Sequence, residues 1–565
     1  MQASTGRLVY ETLRAYGVDH IFGMEDPIHL FHAVDPAATR IVTIHDERHA
    51  AMMAHGYAQA TGRPGVCAAT YGPGAANLAG GLYEAARSSV PVIALAQDHP
   101  LRARGRHASS ELDHAAAFAP FVKAVLRIDY PDQAGDRVRA AFRIACSGRP
   151  GPVVILCPTD VMAQEAEADV TADLRHAGFP ALRPVAGTAE IDAALELLCA
   201  AERPLIVAGG GAMISGAAEE VRKLAEALGC PVATTLTGRG LMADDHPLAL
   251  GAIGNQTGGR LGRGRAANVI AGEADTVFLL GTKTGQLAYA DWSIFTPDVR
   301  LIHLDIDPLE PGRNFATERV LPGDVRDTLR VVIDRLATRP ARPQPANTER
   351  LASLRRDWAE VNRPYVTSPA VPIRPERLIA DINTALPAGA LAVCDGSYAS
   401  GWALSHIDIR SPGRSILSPR GTGSIGWAYA AALGAKLGAP ERPVLCLIGD
   451  GGFYYQIGEL ETAARHGIGV VTVVLNNGTL GFQRHYEQLA FGSYRDCDFA
   501  PTDFAAIARA MGVAGERITD PGALADALAR ALAGPGPIVL DVVIDPEVAA
   551  PVPGFERGMD LSQGH

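Results

Sequence analysis

Apolar, β-branched runs alternate with Ala-, Leu- and Glu-rich segments along most of the chain. The runs read VCAAT, VIALA, VVIL, LIVAG, VFLLG, LIHLD, LAVCD, VLCLIG, VVTVVL and IVLDVVI. Continuous apolar strands separated by helical segments predict parallel sheets covered on both faces. The first twenty residues, MQASTGRLVYETLRAYGVDH, place apolar residues at helical spacing with acids among them, which predicts a helix and not a signal peptide. Two stretches break the alternation. Residues 163–188 have little periodicity, and residues 338–372 are rich in Pro and Arg; both read as interdomain connections. The chain is therefore expected to be α/β, with three doubly wound parallel-sheet domains at 1–165, 188–336 and 372–548 and an irregular tail.

Composition narrows the function classes. At 565 residues, nearly half of them apolar, the chain can bury several cores. A formal net charge of −11 argues against a nucleic-acid or anionic-membrane partner. No apolar run approaches the roughly 20 residues that span a bilayer. The eight cysteines form no CxxC and lie mostly in apolar segments, as expected of buried thiols in a cytoplasmic protein.

The outer two domains share a pattern. ATGRPGVCAATYGPGAAN leads to EAARSSVPVIAL, and KLGAPERPVLCLIGDGGF leads to ETAARHGIGVVTVV. Ala85-Ala86-Arg87 aligns with Ala463-Ala464-Arg465, and Val92 with Val470, without a gap. The copies differ at their loops: the first has Gly72-Pro73-Gly74, and only the third carries Asp450 and the Asn476-Asn477 pair.

Those residues point to chemistry. Taken as a right-handed βαβ unit, the segment 447–478 brings the C-terminal ends of two strands to one sheet edge, where ligands of open α/β sheets bind. Asp450, Asn477 and a carbonyl near Thr479 offer hard oxygen ligands suited to magnesium, which completes its shell with water and phosphate. Gly449, Gly451 and Gly452 allow the backbone to approach phosphates, and a helix beginning after Phe453 adds its dipole. The bland alternative is Asp as a helix cap and Asn-Asn in a turn.

A GDG followed about 25 residues later by NN resembles the diphosphate-binding motif of thiamine diphosphate enzymes. The order of domains resembles that of the acetolactate synthase, benzaldehyde lyase and pyruvate decarboxylase group. The resemblance covers residues 3–548, and it implies pyrimidine-binding, middle and diphosphate-binding domains. It also implies that Glu47, in IVTIHDERHAAMMAHGYAQATG, is the catalytic acid that bonds the aminopyrimidine ring. In GTGSIGWAYAAALGAKLG, the Gly423 carbonyl and the bulky Ile425 would face the bent cofactor, and Gly396 and Ser397 after strand LAVCD would touch its diphosphate. The expected reaction makes or cleaves a C–C bond of 2-keto acids or acyloins through an enamine on the cofactor. The family pairs these domains between chains, which implies a homodimer at least, with a homotetramer as the fuller assembly.

Pyruvate decarboxylases carry an acid where this chain has Pro27, a His pair where it has isolated His107 and His114, and a second acid where it has Gln483. SSELDHAAAFAPFVKAV resembles instead the acetolactate synthase segment with E-x-D and P-x-x-K, at Glu111, Asp113, Pro120 and Lys123. NNGTLGFQRHYEQLAFG resembles that family and benzaldehyde lyase. Phe482 would adjoin the reacting carbon, with Ser109, Ser110, Gln483 and Tyr486 as substrate-facing candidates. LIVAGGGAMISGA and LIHLDIDPLEPGRNF resemble the flavin-bearing domain of acetolactate synthase. TKTGQLAYADW lacks that family's RFDDR-type run, which leaves FAD, ADP, CoA or no ligand open. A non-oxidative 2-keto acid decarboxylase, a dinucleotide-dependent oxidoreductase and a non-catalytic scaffold are the competing readings.

Overall fold

The protein's structure, a computed structural model, describes residues 1–339 and 345–552. It holds three six-stranded sheets whose strand pairs are all parallel. The first runs in the order Arg40–Thr43, His20–Gly23, Gly65–Ala69, Val92–Asp98, Val153–Pro158, Ala124–Arg127. The third runs Ile416–Leu417, Leu391–Cys394, Val444–Gly449, Val471–Asn476, Ile538–Val543, Ala514–Ile518. Counted along each domain, both orders are 2-1-3-4-6-5. The kinship of the outer domains therefore extends to their topology. The middle sheet differs, at 3-2-1-4-5-6, a doubly wound order.

The outer domains also share one hydrophobic core. Helix Glu47–Thr61 lies on helix Ala428–Gly438 with the backbones almost touching: a Cβ at Gly56 would be 2.0 Å from the Ala431 carbonyl oxygen, and one at Gly434 would be 1.9 Å from that of Met53. Glycine is what permits this approach. The pair is fixed by Glu459, fully buried, whose Oε1 accepts from the His45 amide at 3.0 Å and pairs with His49 Nδ1 at 2.8 Å.

Both stretches read as connections hold structure. Glu165–Glu167 pairs antiparallel with Gln2–Ser4, closing the first domain on its own start. Residues 338–372 contain a 19-residue helix, Thr348–Val366, capped by the Asn347 side chain. Its Pro and Arg content hid it from pattern reasoning, and it carries Pro364 near its C-terminal end. The tail beyond residue 552 lies outside the described residues. Seven of the eight cysteines are buried, and burial pushes the Cys146 thiol up to about 12, so no thiolate forms there. Among the described residues, no helix is long and apolar enough to cross a membrane.

Candidate functional site

Three neighbouring strands of the third sheet, Leu391–Cys394, Val444–Gly449 and Val471–Asn476, deliver the candidate residues to one edge. Gly449 pairs with Leu475, so Asp450 emerges beside the Asn476-Asn477 pair. Asp450 is 3% exposed and accepts from the Gly451 amide at 2.7 Å and the Gly478 amide at 2.6 Å. Among the described residues it has no ion-pair partner, and burial pushes its carboxyl up to about 6. A cation would relieve that cost. The two amides separate in role. Asn476 is turned inward, donating to Asp541 Oδ1 at 2.8 Å and to the Thr502 carbonyl at 3.0 Å. Asn477 folds over its own turn, its Oδ1 accepting from the Thr479 amide at 3.2 Å. The Thr479 hydroxyl donates to the Cys497 carbonyl at 3.1 Å.

The glycines divide likewise. Around Gly449 and Gly478 a side chain would meet nothing within 4 Å, leaving open space beside Asp450. Gly451 is packed against Leu480 and Phe499, and a Cβ at Gly452 would strike Asp395 Oδ2 at 2.2 Å. The helix here begins at Asp450 and ends at Tyr454, with the next beginning at Glu459. This corrects the expected helix after Phe453: one turn contributes little dipole, and the loop geometry is what remains.

Asp395 anchors the segment that carries Ile425. Its Oδ2 accepts from the Gly426 amide at 2.8 Å, and its Oδ1 from Trp427 and Ala428 at 2.8 and 3.0 Å. Gln456, fully buried, donates to the Gly426 carbonyl at 2.6 Å. Gly396 lies under the same loop, because a Cβ there would be 2.5 Å from the Gly423 carbonyl oxygen. Ser397 follows at φ 58° and begins helix Ser397–His406, while Ile425 is left 37% exposed. Phe482 stands edge-on to Tyr398, ring centroids 5.9 Å apart, and the Tyr398 hydroxyl bonds His485 Nδ1 at 2.7 Å. Neither Tyr398 nor His485 was singled out from the sequence.

In the first domain Glu47 is 6% exposed at the start of its helix. Its Oε2 accepts from Asn77 Nδ2 at 3.1 Å, and its Oε1 fills the notch at Gly74, where a Cβ would lie 2.7 Å away. Sequence reasoning missed Asn77, although an Asn one turn into the helix after GPG was the available signal. It also took His114 as isolated. The offset that aligns Ala85 with Ala463 sets Asp98-His99 opposite Asn476-Asn477, and there His99 and His114 stack with centroids 5.4 Å apart. His114 bonds Asp98 Oδ1 at 2.9 Å through Nδ1 and accepts the Gly72 amide at 2.9 Å on Nε2. A histidine pair does exist, assembled from residues too far apart to read as one.

The remaining candidates scatter. Pro27 is buried ahead of helix Ile28–Ala33. Ser109 and Ser110 are exposed; Ser110 lies over Gly72, and its carbonyl bonds His99 Nε2 at 3.0 Å. Gln483 is exposed and donates to Glu487 at 2.6 Å, and Tyr486 is half-buried on the same helix, Gly481–Phe491. Lys123 is occupied by the carbonyls of Ile144, Ser147 and Arg149 at 2.6–2.8 Å. In the middle domain the glycine run is explained by packing: the Gly211 amide bonds the Gly281 carbonyl at 2.8 Å, and a Cβ at Gly209 would be 2.4 Å from that oxygen.

Comparison with known proteins covers most of the chain. Residues 3–117 match the thiamine pyrophosphate enzyme N-terminal TPP binding domain, 191–332 the central domain and 395–542 the C-terminal TPP binding domain. A probable acetolactate synthase large subunit of Methanocaldococcus jannaschii is 34% identical, over 96% of this chain and 92% of its own. An acetolactate synthase of Arthrospira platensis is 34% identical, over 94% and 92%. The acetolactate synthase isozyme 2 large subunit of Escherichia coli is 30% identical, over 95% of each.

Proposed function

The chain belongs to the thiamine pyrophosphate enzyme family, and from that premise we propose that it is a magnesium-dependent carboligase of the acetolactate synthase type, joining or cleaving the C–C bond beside a carbonyl of 2-keto acids or acyloins. One observation carries the assignment of the site: a buried carboxylate, Asp450, without a cationic partner among the described residues, held beside Asn477 where Gly449 and Gly478 leave open space. The residues fit the group. Asp450, Asn477 and the Thr479 carbonyl would hold magnesium; Gly396, Ser397, Gly449, Gly451 and Gly452 would hold the diphosphate; Gly423, Ile425 and Phe482 would hold the rings. When bound, thiamine diphosphate supplies an electron sink for the bond made or broken.

The protein's own residues orient and move protons. Glu47 carries a carboxyl at a helix start, steered by Asn77, and exchanges a proton with the group it faces. Ile425 and Phe482 exclude water from the reacting centre. A polar tip for substrate comes from Gln483 or Tyr486, with Pro27, Ser109 and Ser110 lining the approach. In one chain Glu47 is bonded to its own domain, and the apolar Ile425, Tyr455 and Phe491 are exposed by 37%, 54% and 75%. These observations favour a second copy completing the site, in a homodimer or a homotetramer.

A second proposal concerns the middle domain. Its 3-2-1-4-5-6 strand order favours a flavin or adenine nucleotide at the switch point, although its glycines give no added support. Absorbance and acid extraction of the purified protein test it.

The main test is chemical. Protein loaded with thiamine diphosphate and magnesium is given a panel of 2-keto acids with acceptor carbonyl compounds, and products are identified by mass. Condensation products are expected. Release of aldehyde alone would move the assignment to a decarboxylase, and cofactor binding without any turnover would move it to a scaffold.

A further inference from the structure

The loop from Pro419 to Trp427 is held at both ends by buried carboxylates, and the two belong to different domains. At its C-terminal end Asp395, from the same domain, takes the amides of Gly426, Trp427 and Ala428. At its N-terminal end the holder is Glu84, on helix Pro73–Ser88 of the first domain, with no exposed surface. Glu84 Oε1 accepts from the Gly421 amide at 2.7 Å and from the Ser88 hydroxyl at 2.5 Å. Its Oε2 accepts from the Thr422 amide at 2.7 Å and from the Thr422 hydroxyl. Among the described residues Glu84 forms no ion pair, so these four donors are what compensate its burial. Gly421 must be a glycine for the contact, since a Cβ there would lie 2.8 Å from Glu84 Oε1 and 2.7 Å from Arg87 Cβ.

The same helix touches Glu47. Asn77, its donor to Glu47, precedes Glu84 by seven residues, which is two turns and about 10 Å along one helix face. Between them Gly81 seats the helix against the Glu47 helix, where a Cβ would be 2.4 Å from the Arg48 carbonyl oxygen. A single rigid element therefore steers Glu47 at one end and grips the Ile425 loop at the other. Gly423, Ser424 and Ile425 form the arch between the two carboxylates, tied within the loop by the Gly423 amide on the Pro419 carbonyl at 2.8 Å and by a 2.6 Å bond between the Thr422 and Ser424 hydroxyls.

We propose that Glu84 is a positioning residue: it sets the seat of the Gly423–Ile425 arch against the helix that orients Glu47. This rests on the proposal above that Gly423 and Ile425 face the cofactor ring. Glu84 itself touches no reacting atom. A carboxylate is required because it alone presents acceptors on both oxygens to two main-chain amides and two hydroxyls; an amide offers an acceptor on one side only.

The test uses the full-length protein as Glu84→Gln and, separately, Thr422→Val, which leaves Glu84 in place and removes the hydroxyl that bonds both Glu84 and Ser424, with Ser424→Ala as the control for the second of these bonds. Hydrogen exchange across residues 419–427 is read without cofactor, and thiamine diphosphate with magnesium is then titrated by tryptophan fluorescence. In Glu84→Gln, exchange at Gly421 and Thr422 should rise, cofactor affinity should fall by about tenfold or more, and kcat should fall with the KM for the keto acid unchanged. Thr422→Val should shift exchange and affinity the same way by a smaller factor, and it decides the matter if Glu84→Gln does not fold. Faster exchange with affinity and kcat both within about twofold of wild type would overturn the proposal, because Glu84 would then be only a structural clamp. Wild-type protein that binds no thiamine diphosphate would overturn the cofactor assignment, and this inference with it.

Discussion

The carboxylate of Asp395 occupies the space that a side chain at residue 452 would need, its Oδ2 lying 2.2 Å from where a Cβ at Gly452 would stand. The carboxylate cannot step aside, because three main-chain amides of the Ile425 loop are bonded to it. Gly74 and Glu47 stand in the same relation in the first domain, at 2.7 Å. Each domain thus uses a glycine two residues beyond the position aligned with Asp450 to admit an acid. Gly452→Ala is expected to cost about 1–3 kcal/mol of stability and to weaken cofactor binding, measured by denaturant unfolding and by titration. An alanine variant with wild-type stability and binding would show that the loop yields freely.

Adjacent amides should respond in opposite ways. Asn476→Ala strips the buried Asp541 and the Thr502 carbonyl of a donor and is expected to destabilise the protein by about 1–3 kcal/mol. Asn477→Ala should leave the melting temperature nearly unchanged while reducing magnesium-supported binding of thiamine diphosphate at least tenfold. Equal effects of the two on binding would remove Asn477 from the metal site.

Glu47→Gln keeps the side-chain volume and removes the proton exchange. Activity should fall by about a hundredfold or more with the fold intact by circular dichroism, and a loss under tenfold would sink the assignment of Glu47 as the acid. Asn77→Ala leaves the carboxyl and removes only its donor, so its loss should be the smaller one.

Asp305, at the end of strand Arg300–Asp305, is pushed up from 3.8 to about 7 by burial, with Glu310 and Asp307 adding to the shift. The folded protein therefore holds this proton more tightly than the unfolded chain. The stability it contributes is complete below the ordinary carboxyl range and is lost as pH rises through about 7. Asp305→Asn abolishes that titration while its Oδ1 can still accept the Asp307 amide, a bond of 2.9 Å. The variant should match wild type only below about pH 4, where Asp305 is protonated in both states, and should exceed it increasingly up to about pH 7, by on the order of 4 kcal/mol. Melting curves that stay parallel across that range would contradict this.

The long central strands were legible, because a strand buried on both faces must be apolar throughout and continuous runs such as VLCLIG and VVTVVL state that directly. Edge strands were harder. Ile416–Leu417 has two residues, and Ala514–Ile518 reads AGERI, since one side of an edge strand faces solvent. The GDG and NN residues were legible as a pair, because a gapless internal repeat fixed the strand ends around them. Asn477 was read as the ligand of the two, but what occupies Asn476 was not legible, since its partner Asp541 lies 65 residues further on.

What the amino-acid order by itself determined is local: periodicity, the glycines that permit close approach, and the acid and amides that end two strands. What only the tertiary structure decided is partnership. Asn77 beside Glu47, His99 on His114, Asp395 in the Gly452 notch and Glu84 across the domain boundary at Gly421 are meetings of residues separated by 15 to 337 positions. The first three arise where parallel strands bring distant loops of one domain to the same sheet edge, and the last where the outer domains pack helix against helix through glycines, which carries a side chain of one into a loop of the other. No spacing in a linear sequence encodes that distance.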